Sequence, residues 1–258
     1  MNPSNEAASS GRRHSMGVDG AFNVRDIGGA TTTAGTTVLT ERVYASATLD
    51  AITARGIEQL RAVDIGMVLD LRSPGELERH GRFPVDQYPV HWEHLSSTVA
   101  PPSGDEVRKI AAEQVTDPMN PMYVEIMRTS GPVFARGLQL LGDPGAPPAI
   151  VHCTSGKDRT GLFVLLLHLV VGVPLDAALA EYHQDDETTK RAASDMLGRY
   201  PVMGEMGSEV MMHMAGTHTE WVLSALESIG GERAVPAWLS SNGFDDHDQS
   251  RLRANLTG

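Results

Sequence analysis

The sequence predicts an α/β layered fold, and three observations carry that expectation. Short apolar runs bounded by turn residues read as buried strands, above all Ile65-Gly66-Met67-Val68-Leu69-Asp70-Leu71 and Pro147-Pro148-Ala149-Ile150-Val151-His152. Segments with apolar residues at helical spacing alternate with these runs. The last third of the chain is mostly helical in pattern.

Taken in order, residues 1–18 are rich in Ser, Asn, Gly and Ala and read as a disordered arm. Residues 19–258 read as one domain. Leu49, Ile52, Ile57, Leu60 and Val63 set a helix over 49–63, with Asp50 or Thr53 as its cap. The strand at 65–71 follows, and 88–90 look like the end of another. Residues 96–105 are Pro/Ser/Gly-rich and read as a loop. Residues 121–141 offer two helices broken near Ser130-Gly131-Pro132. After the strand at 147–152, a buried helix over 160–171 is stopped by Gly172-Val173-Pro174. Residues 174–200 read as further helix, and 201–216 as a loop or broken helix carrying Met203, Met206, Met211, Met212 and Met214. An amphipathic helix over 217–229 takes Thr217 or Thr219 as cap.

Of 258 residues, 41% are hydrophobic, enough for a core that needs no disulfide or metal staple. A net charge of −12 argues against a nucleic-acid partner, since phosphate backbones demand basic surface. No cluster of lysines and arginines suits stable association with an anionic membrane. The single cysteine, Cys153, rules out a disulfide within the chain. Arg12-Arg13 is followed by no apolar segment and does not read as a twin-arginine signal. Together these predict a cytoplasmic protein.

The chemistry concentrates in His152-Cys153-Thr154-Ser155-Gly156-Lys157-Asp158-Arg159-Thr160-Gly161. A strand ends there, the chain turns tightly at Gly156, and a helix begins. The first N–H groups of a helix lack intrahelical partners and carry the positive end of its dipole, so they form an anion site. Arg159 adds a planar fork that grips two phosphate oxygens. The same groups favour a thiolate at Cys153, which can attack phosphorus to give a phosphocysteine. Thr160 could donate to the sulfur and ease its departure. The competing reading of Cys153 is a small buried hydrophobe. Its place after a strand, before a glycine turn and six residues ahead of Arg159 argues against that.

His152-Cys153-x5-Arg159-Thr160 resembles the signature of the protein tyrosine phosphatase superfamily. With Lys157-Asp158 ahead of the arginine, the loop looks like that of the bacterial atypical tyrosine/lipid phosphatases. Phe22-Asn23-Val24-Arg25-Asp26-Ile27-Gly28-Gly29, Asp70-Leu71-Arg72-Ser73-Pro74-Gly75-Glu76 and the stretch from Glu220-Trp221-Val222 to Leu252 resemble further motifs of that family. The resemblance covers about residues 20–255. It implies a central, mainly parallel sheet flanked by helices, with a helical lid around 174–216, and no metal or cofactor. It implies a phosphorylated substrate: phosphotyrosine or another phosphoprotein, or a phosphoinositide.

The resemblance leaves roles open. The tyrosine-specific members carry their general acid in a Trp-Pro-Asp loop, and this sequence has no such motif. Asp158 is the first candidate for the acid, as the similar loop of myotubularin-type lipid phosphatases suggests; Asp70 is its rival. Asp158 could instead only orient loop amides. His152, Thr154, Ser155, Gly156, Lys157, Thr160 and Gly161, with Asp70 and Arg72 nearby, are candidates for binding substrate. Lys157 either holds a second negative group on the substrate or is a solvated lysine. Arg72 and Glu76 either pair beside the pocket or cap a helix. Arg25 and Asp26 could pin the amino-terminal segment to the loop. The methionines could line a movable cover or simply pack on a neighbour. His91-x-x-His94 has weak metal-ligand spacing with nothing nearby to complete it. Alternatives for the whole chain are a phosphatase for a small metabolite such as a nucleoside or sugar phosphate, an idle phosphate-binding module, and a sulfur-transferring enzyme.

Overall fold

The computed structural model describes residues 14–183 and 186–258. The elements run β1 (His14–Ser15), β2 (Arg25–Asp26), β3 (Val43–Ser46), α1 (Ala54–Arg61), β4 (Met67–Asp70), α2 (Pro74–His80) and β5 (His91–His94). Next come α3 (Gly104–Ala112), α4 (Met119–Thr129), α5 (Gly131–Leu141), β6 (Ala149–His152), α6 (Asp158–Val171) and α7 (Leu175–Tyr182). The chain ends with α8 (Asp186–Arg199), a 3-10 turn (Pro201–Met206), α9 (Ser208–Ala215), α10 (Thr219–Glu227), a second 3-10 turn (Glu232–Ala234), α11 (Val235–Ser241) and α12 (Asp246–Leu256).

The described residues form one six-stranded sheet in the order β1-β2-β3-β6-β4-β5. The pairs β3–β6, β6–β4 and β4–β5 are parallel, while β1–β2 and β2–β3 are antiparallel. This is an α/β fold with a central, mainly parallel sheet. Every residue of β3, β4 and β6 is buried, as expected for parallel strands covered on both faces. Alternate residues divide between two cores. Ala45, Leu69 and Val151 face the larger one, with α4, α5, α6, α10 and α12. Tyr44, Val68 and Ile150 face the smaller one, with α1.

The register positions the site. Ser46 and Asp70 both lie opposite His152, so three parallel strands end level with one another. Ligands of open α/β sheets bind beyond such carboxyl ends. Cys153 is the next residue. The helix that follows, α6, is apolar all round, and twelve of its fourteen residues are buried. It runs through the core as a fixed axle and ends on Gly172, whose φ of 94° is left-handed.

Several expected boundaries move. Helix α1 begins at Ala54 because Thr53 is extended and its side chain accepts from the Gly56 N–H at 3.2 Å; Leu49 and Ile52 lie before it. The strand expected to end at 88–90 instead starts at His91. Residues 174–200 hold two helices rather than one. Residues 201–216 are a 3-10 turn and a short helix. Neither Thr217 nor Thr219 caps α10, whose first turn has no side-chain cap. The arm expected over 1–18 lies outside the described residues up to residue 13. From His14 onward the chain pairs with β2, and Val18 is buried in the smaller core.

Candidate active site

Strand β6 delivers Cys153 to the carboxyl end of the sheet, and the chain turns once before α6 starts. The turn needs Gly156. Its φ is +70°, and a Cβ there would lie 2.4 Å from the Ser46 carbonyl oxygen. Among the described residues no side chain caps the first turn of α6, so its leading N–H groups stay open to an anion. From outside, Asn23 Nδ2 donates to the carbonyls of Ser155 at 3.0 Å and Gly156 at 3.2 Å. Arg25 Nη1 adds a contact to the Gly156 carbonyl at 3.4 Å. With these carbonyls held outward, the N–H groups of the same peptides turn to the inside of the loop. Arg25 therefore pins the loop, as does Asn23, but Asp26 does not. Its carboxylate accepts from the N–H groups of Gly28 and Glu41 and shapes the neighbouring turn.

Arg159 is gripped by Glu76 in a two-pronged pair: Nη1 to Oε2 at 2.6 Å and Nη2 to Oε1 at 2.8 Å. Glu76 also accepts from Thr154 Oγ1, from Ser73 N–H at 2.8 Å and from Ser73 Oγ at 2.7 Å. Burial pushes its carboxyl upward, but the Arg159 hydrogen bonds and charge outweigh burial and hold it at about 2. Glu76 thus fastens the helix α2 motif to the reactive loop. It also closes a capping box with Ser73, so its expected capping role is present, while its ion-pair partner is Arg159 and not Arg72.

Arg72 is spent elsewhere. Its Nε and Nη2 donate to Asp70 Oδ1 at 2.9 Å and Oδ2 at 2.7 Å, and its own N–H donates to Oδ1 at 3.1 Å. Asp70 is 0% exposed and Arg72 1%. Neither lines the pocket described below. Burial raises the Asp70 carboxyl, but His152 and Arg72 together bring it below the ordinary carboxylate range. Both Asp70 oxygens are occupied, so Asp70 supports the loop from beneath, where sequence reading had placed it beside the substrate. His152, fully buried, bonds the Cys153 carbonyl through Nδ1 at 3.1 Å, and its Nε2 lies 3.7 Å from Asp70.

The other half of the loop faces helices. Lys157 is 3% exposed and no solvated lysine. Its Nζ donates to the carbonyls of Met214 and Gly216, the latter at 3.0 Å, and lies 3.1 Å from Asp158 Oδ1. These carbonyls close the carboxy-terminal end of α9, where a cation is favoured. Asp158 Oδ1 also accepts from Tyr123 Oη at 2.7 Å. Trp221 stands over Lys157 at 5.2 Å and packs against Tyr123 at 5.4 Å.

Ser155, Lys157, Asp158 and Arg159 form the polar end of a cavity of about 50 Å³. Its other walls are apolar, from Val99, Met119, Met122, Met203, Met211 and Met214 among others. Of the five methionines singled out, Met203, Met211 and Met214 line the cavity, Met206 is buried outside it, and Met212 is 41% exposed. Cys153 is buried within the same loop, and Thr160 Oγ1 is buried with no hydrogen-bond partner among the described residues. Among the described residues, no group of three or more His, Cys, Asp or Glu is placed to hold a metal ion. His94 bonds the Arg72 carbonyl at 2.9 Å, and His91 contacts Glu93.

The model of the tyrosine phosphatase family matches residues 16–258. The chain belongs to that family. It is a cysteine-dependent phosphatase. A Cupriavidus necator protein named a tyrosine-protein phosphatase is 30% identical over 203 residues, 77% of this chain and 72% of that one. The triple specificity protein phosphatase PtpB of Mycobacterium tuberculosis is 24% identical over 275 residues, 93% of this chain and 98% of that one. A crystal structure of Pseudomonas aeruginosa TpbA aligns at 19% identity and a TM-score of 0.30, over 67% of this chain and 91% of that chain. No helix among the described residues is long and apolar enough to cross a membrane.

The family motifs contained Asn23, Arg25 and Glu76, and suggested Arg25 as a pin, but did not name the loop partners of Asn23 and Glu76. Tyr123 and Tyr182 fall in no motif, and Trp221 fell in the carboxy-terminal motif without a role. One signal was available: Gly161. A Cβ at that position would lie 2.9 Å from Tyr182 Cδ2, so the glycine makes room for the ring. Helix α3 was also overlooked, although Ser103 and Glu106 spell its capping box.

Proposed function

We propose that this enzyme hydrolyses aryl phosphate esters, phosphotyrosine first, through a phosphocysteine at Cys153. One arrangement carries the reading. The uncapped start of α6, the Glu76-held fork of Arg159 and the Asp158 carboxylate meet at the polar end of a single cavity whose far walls are apolar, and Cys153 lies buried in the loop that leads into α6. Such walls suit a phenyl ring better than a sugar. The sulfur attacks phosphorus as the bond to the leaving oxygen breaks, and Asp158 gives that oxygen its proton. A water then attacks the phosphocysteine, Asp158 takes the water's proton, and inorganic phosphate and the thiolate are released. Loop amides and Arg159 hold the three equatorial oxygens throughout.

Asp158 is preferred to Asp70 as the acid because Asp70 spends both oxygens on Arg72. The mycobacterial relative's name speaks of triple specificity, which supports a range wider than phosphotyrosine; phosphoinositides belong to the proposed range on the resemblance of the loop alone. A single thiol suits a reducing compartment, so the reading places the enzyme in the cytoplasm. It takes residues 19–258 as one catalytic domain, with 174–216 as a lid. The larger core supports this, since it draws on residues from Ile27 to Leu256, and Arg199 of α8 is tied to Asp50 at 2.9 Å.

Phosphate release from phosphotyrosyl peptides, phosphoinositides and sugar phosphates by the wild type and Cys153→Ser tests the reading. The wild type should turn over the phosphotyrosyl peptide fastest, and Cys153→Ser none of them. Turnover by Cys153→Ser, or a preference for sugar phosphates, contradicts it.

A further inference from the structure

The reading of Asp158 as the acid leaves open which of its two oxygens carries the proton. Tyr123 of α4 and Tyr182, the last residue of α7, bear on that question. Tyr123 is 0% exposed and Tyr182 4%, and their rings meet edge to face at 6.2 Å. Their hydroxyl oxygens are 2.6 Å apart, and Tyr123 Oη donates to Asp158 Oδ1 at 2.7 Å. Each hydroxyl has one proton. Tyr123 spends its proton on Asp158, so Tyr182 must be the donor in the bond between them. The chain of donors runs one way, from Tyr182 to Tyr123 to Asp158 Oδ1.

Both donors stay protonated. Burial, and after it the Asp158 charge, pushes each phenol well above its ordinary range. Neither tyrosine can therefore serve as the acid itself, and neither ceases to donate as pH changes. Oδ1 also faces the Lys157 ammonium at 3.1 Å. An oxygen receiving a phenol proton and facing an ammonium has no room for a proton of its own. Oδ2 has no hydrogen-bond partner among the described residues, and Asp158 lines the cavity.

We infer that Tyr123, backed by Tyr182, is a positioning residue that keeps the proton of Asp158 on Oδ2, the oxygen left for the substrate. The inference rests on Asp158 being the acid. In the first step the proton leaves Oδ2 for the departing oxygen as the sulfur–phosphorus bond forms. In the second, Oδ2 accepts a proton from the attacking water as that bond breaks and the thiolate departs. Oδ1 keeps its donors in both steps. The room left by Gly161 is then a requirement of the same device, because it is what lets Tyr182 approach.

The test compares an alkyl phosphate with an aryl phosphate bearing a good leaving group, in Asp158→Asn, Tyr123→Phe, Tyr182→Phe and the double variant Asp158→Asn/Tyr123→Phe. General acid catalysis supplies about 10²–10⁴-fold, most where the leaving group is basic. Tyr123→Phe should lower kcat on the alkyl ester by roughly tenfold or more, a part of that contribution, with little change on the aryl ester or in either KM. Tyr182→Phe should do the same more weakly, and the double variant should be no more selective than Asp158→Asn alone. A merely structural role would slow both esters alike. If Asp158→Asn is selective and Tyr123→Phe slows both esters equally or neither, the positioning role is overturned and the acid assignment stands. If Asp158→Asn itself shows no selectivity, both are overturned.

Discussion

Glu76 holds Arg159 by both guanidinium prongs, at 2.6 and 2.8 Å, while its side chain also closes the cap of α2. The fork proposed to grip phosphate is thus aimed before substrate arrives, and little of its freedom remains to be lost on binding.

This pair sets an acid limit on stability. Glu76 is held at about 2, below the 4.5 of a free glutamate. A carboxyl depressed by folding stabilises fully above its unfolded value and loses that contribution as pH falls through its folded value. The difference is worth roughly 3 kcal/mol, lost between about pH 4.5 and 2. Glu76→Gln should remove that part of the acid dependence and leave Arg159 buried without its charge partner. Stability at neutral pH should fall by roughly 3–5 kcal/mol. Denaturant melts of both proteins across this pH range check it; an unchanged slope contradicts it.

Gly156→Ala should abolish the anion site. The residue needs a φ of +70°, and its new Cβ would press on the Ser46 carbonyl at 2.4 Å. The backbone strain alone is of order 1–2 kcal/mol, and the contact forces the loop to shift. Binding of inorganic phosphate, followed by calorimetry, should be lost. Normal affinity would show that the loop adopts another path.

The α/β class and the reactive loop were legible in the sequence because both are local. A strand, a glycine turn and an apolar helix occur there in direct succession. The supports were legible only in part: the motif at 22–29 suggested Arg25 as a pin, but the partners of Asn23 and Glu76 could not be read, because each reaches the loop from far along the chain. Asn23 lies 132 residues before Ser155, and Glu76 lies 83 before Arg159. Arg72 and Glu76 sit four apart, a spacing that suggests mutual pairing, and only the fold shows that each faces a different partner. Lys157, two residues before Arg159, read as either a second anion ligand or a solvated lysine, while tertiary structure turns it onto the end of α9. Helical periodicity could not find the start of α1, because Leu49 and Ile52 keep the spacing while lying in a turn.

Lys157→Met should loosen α9. The ammonium satisfies the carbonyls of Met214 and Gly216, and a cation at a helix carboxy terminus is worth about 0.3–1 kcal/mol, up to about 2 when buried. Amide hydrogen exchange over residues 208–216 should speed up while that of α6 stays as it was. No change in α9 would mean that these carbonyls do not depend on the lysine.

Mild peroxide should inactivate the enzyme, and added thiol should restore it if given early. Cys153 is the only cysteine, so no disulfide can protect it and deeper oxidation is final. Activity that survives peroxide would contradict an accessible thiolate and mean that Cys153 is protonated or too well buried to react.

The proposed chemistry turns on a covalent phosphocysteine at Cys153. Wild type, Cys153→Ser and Arg159→Lys are mixed with a phosphotyrosyl peptide, quenched in acid within one turnover, digested and analysed by mass spectrometry. The peptide carrying Cys153 should gain the mass of one phosphoryl group in the wild type, in step with the burst of free tyrosyl peptide. Arg159→Lys should gain it far more slowly, because a point charge cannot replace the fork. Cys153→Ser should show neither burst nor added mass. A wild-type burst with no phosphoryl group on that peptide, or with the group on another residue, would contradict the mechanism.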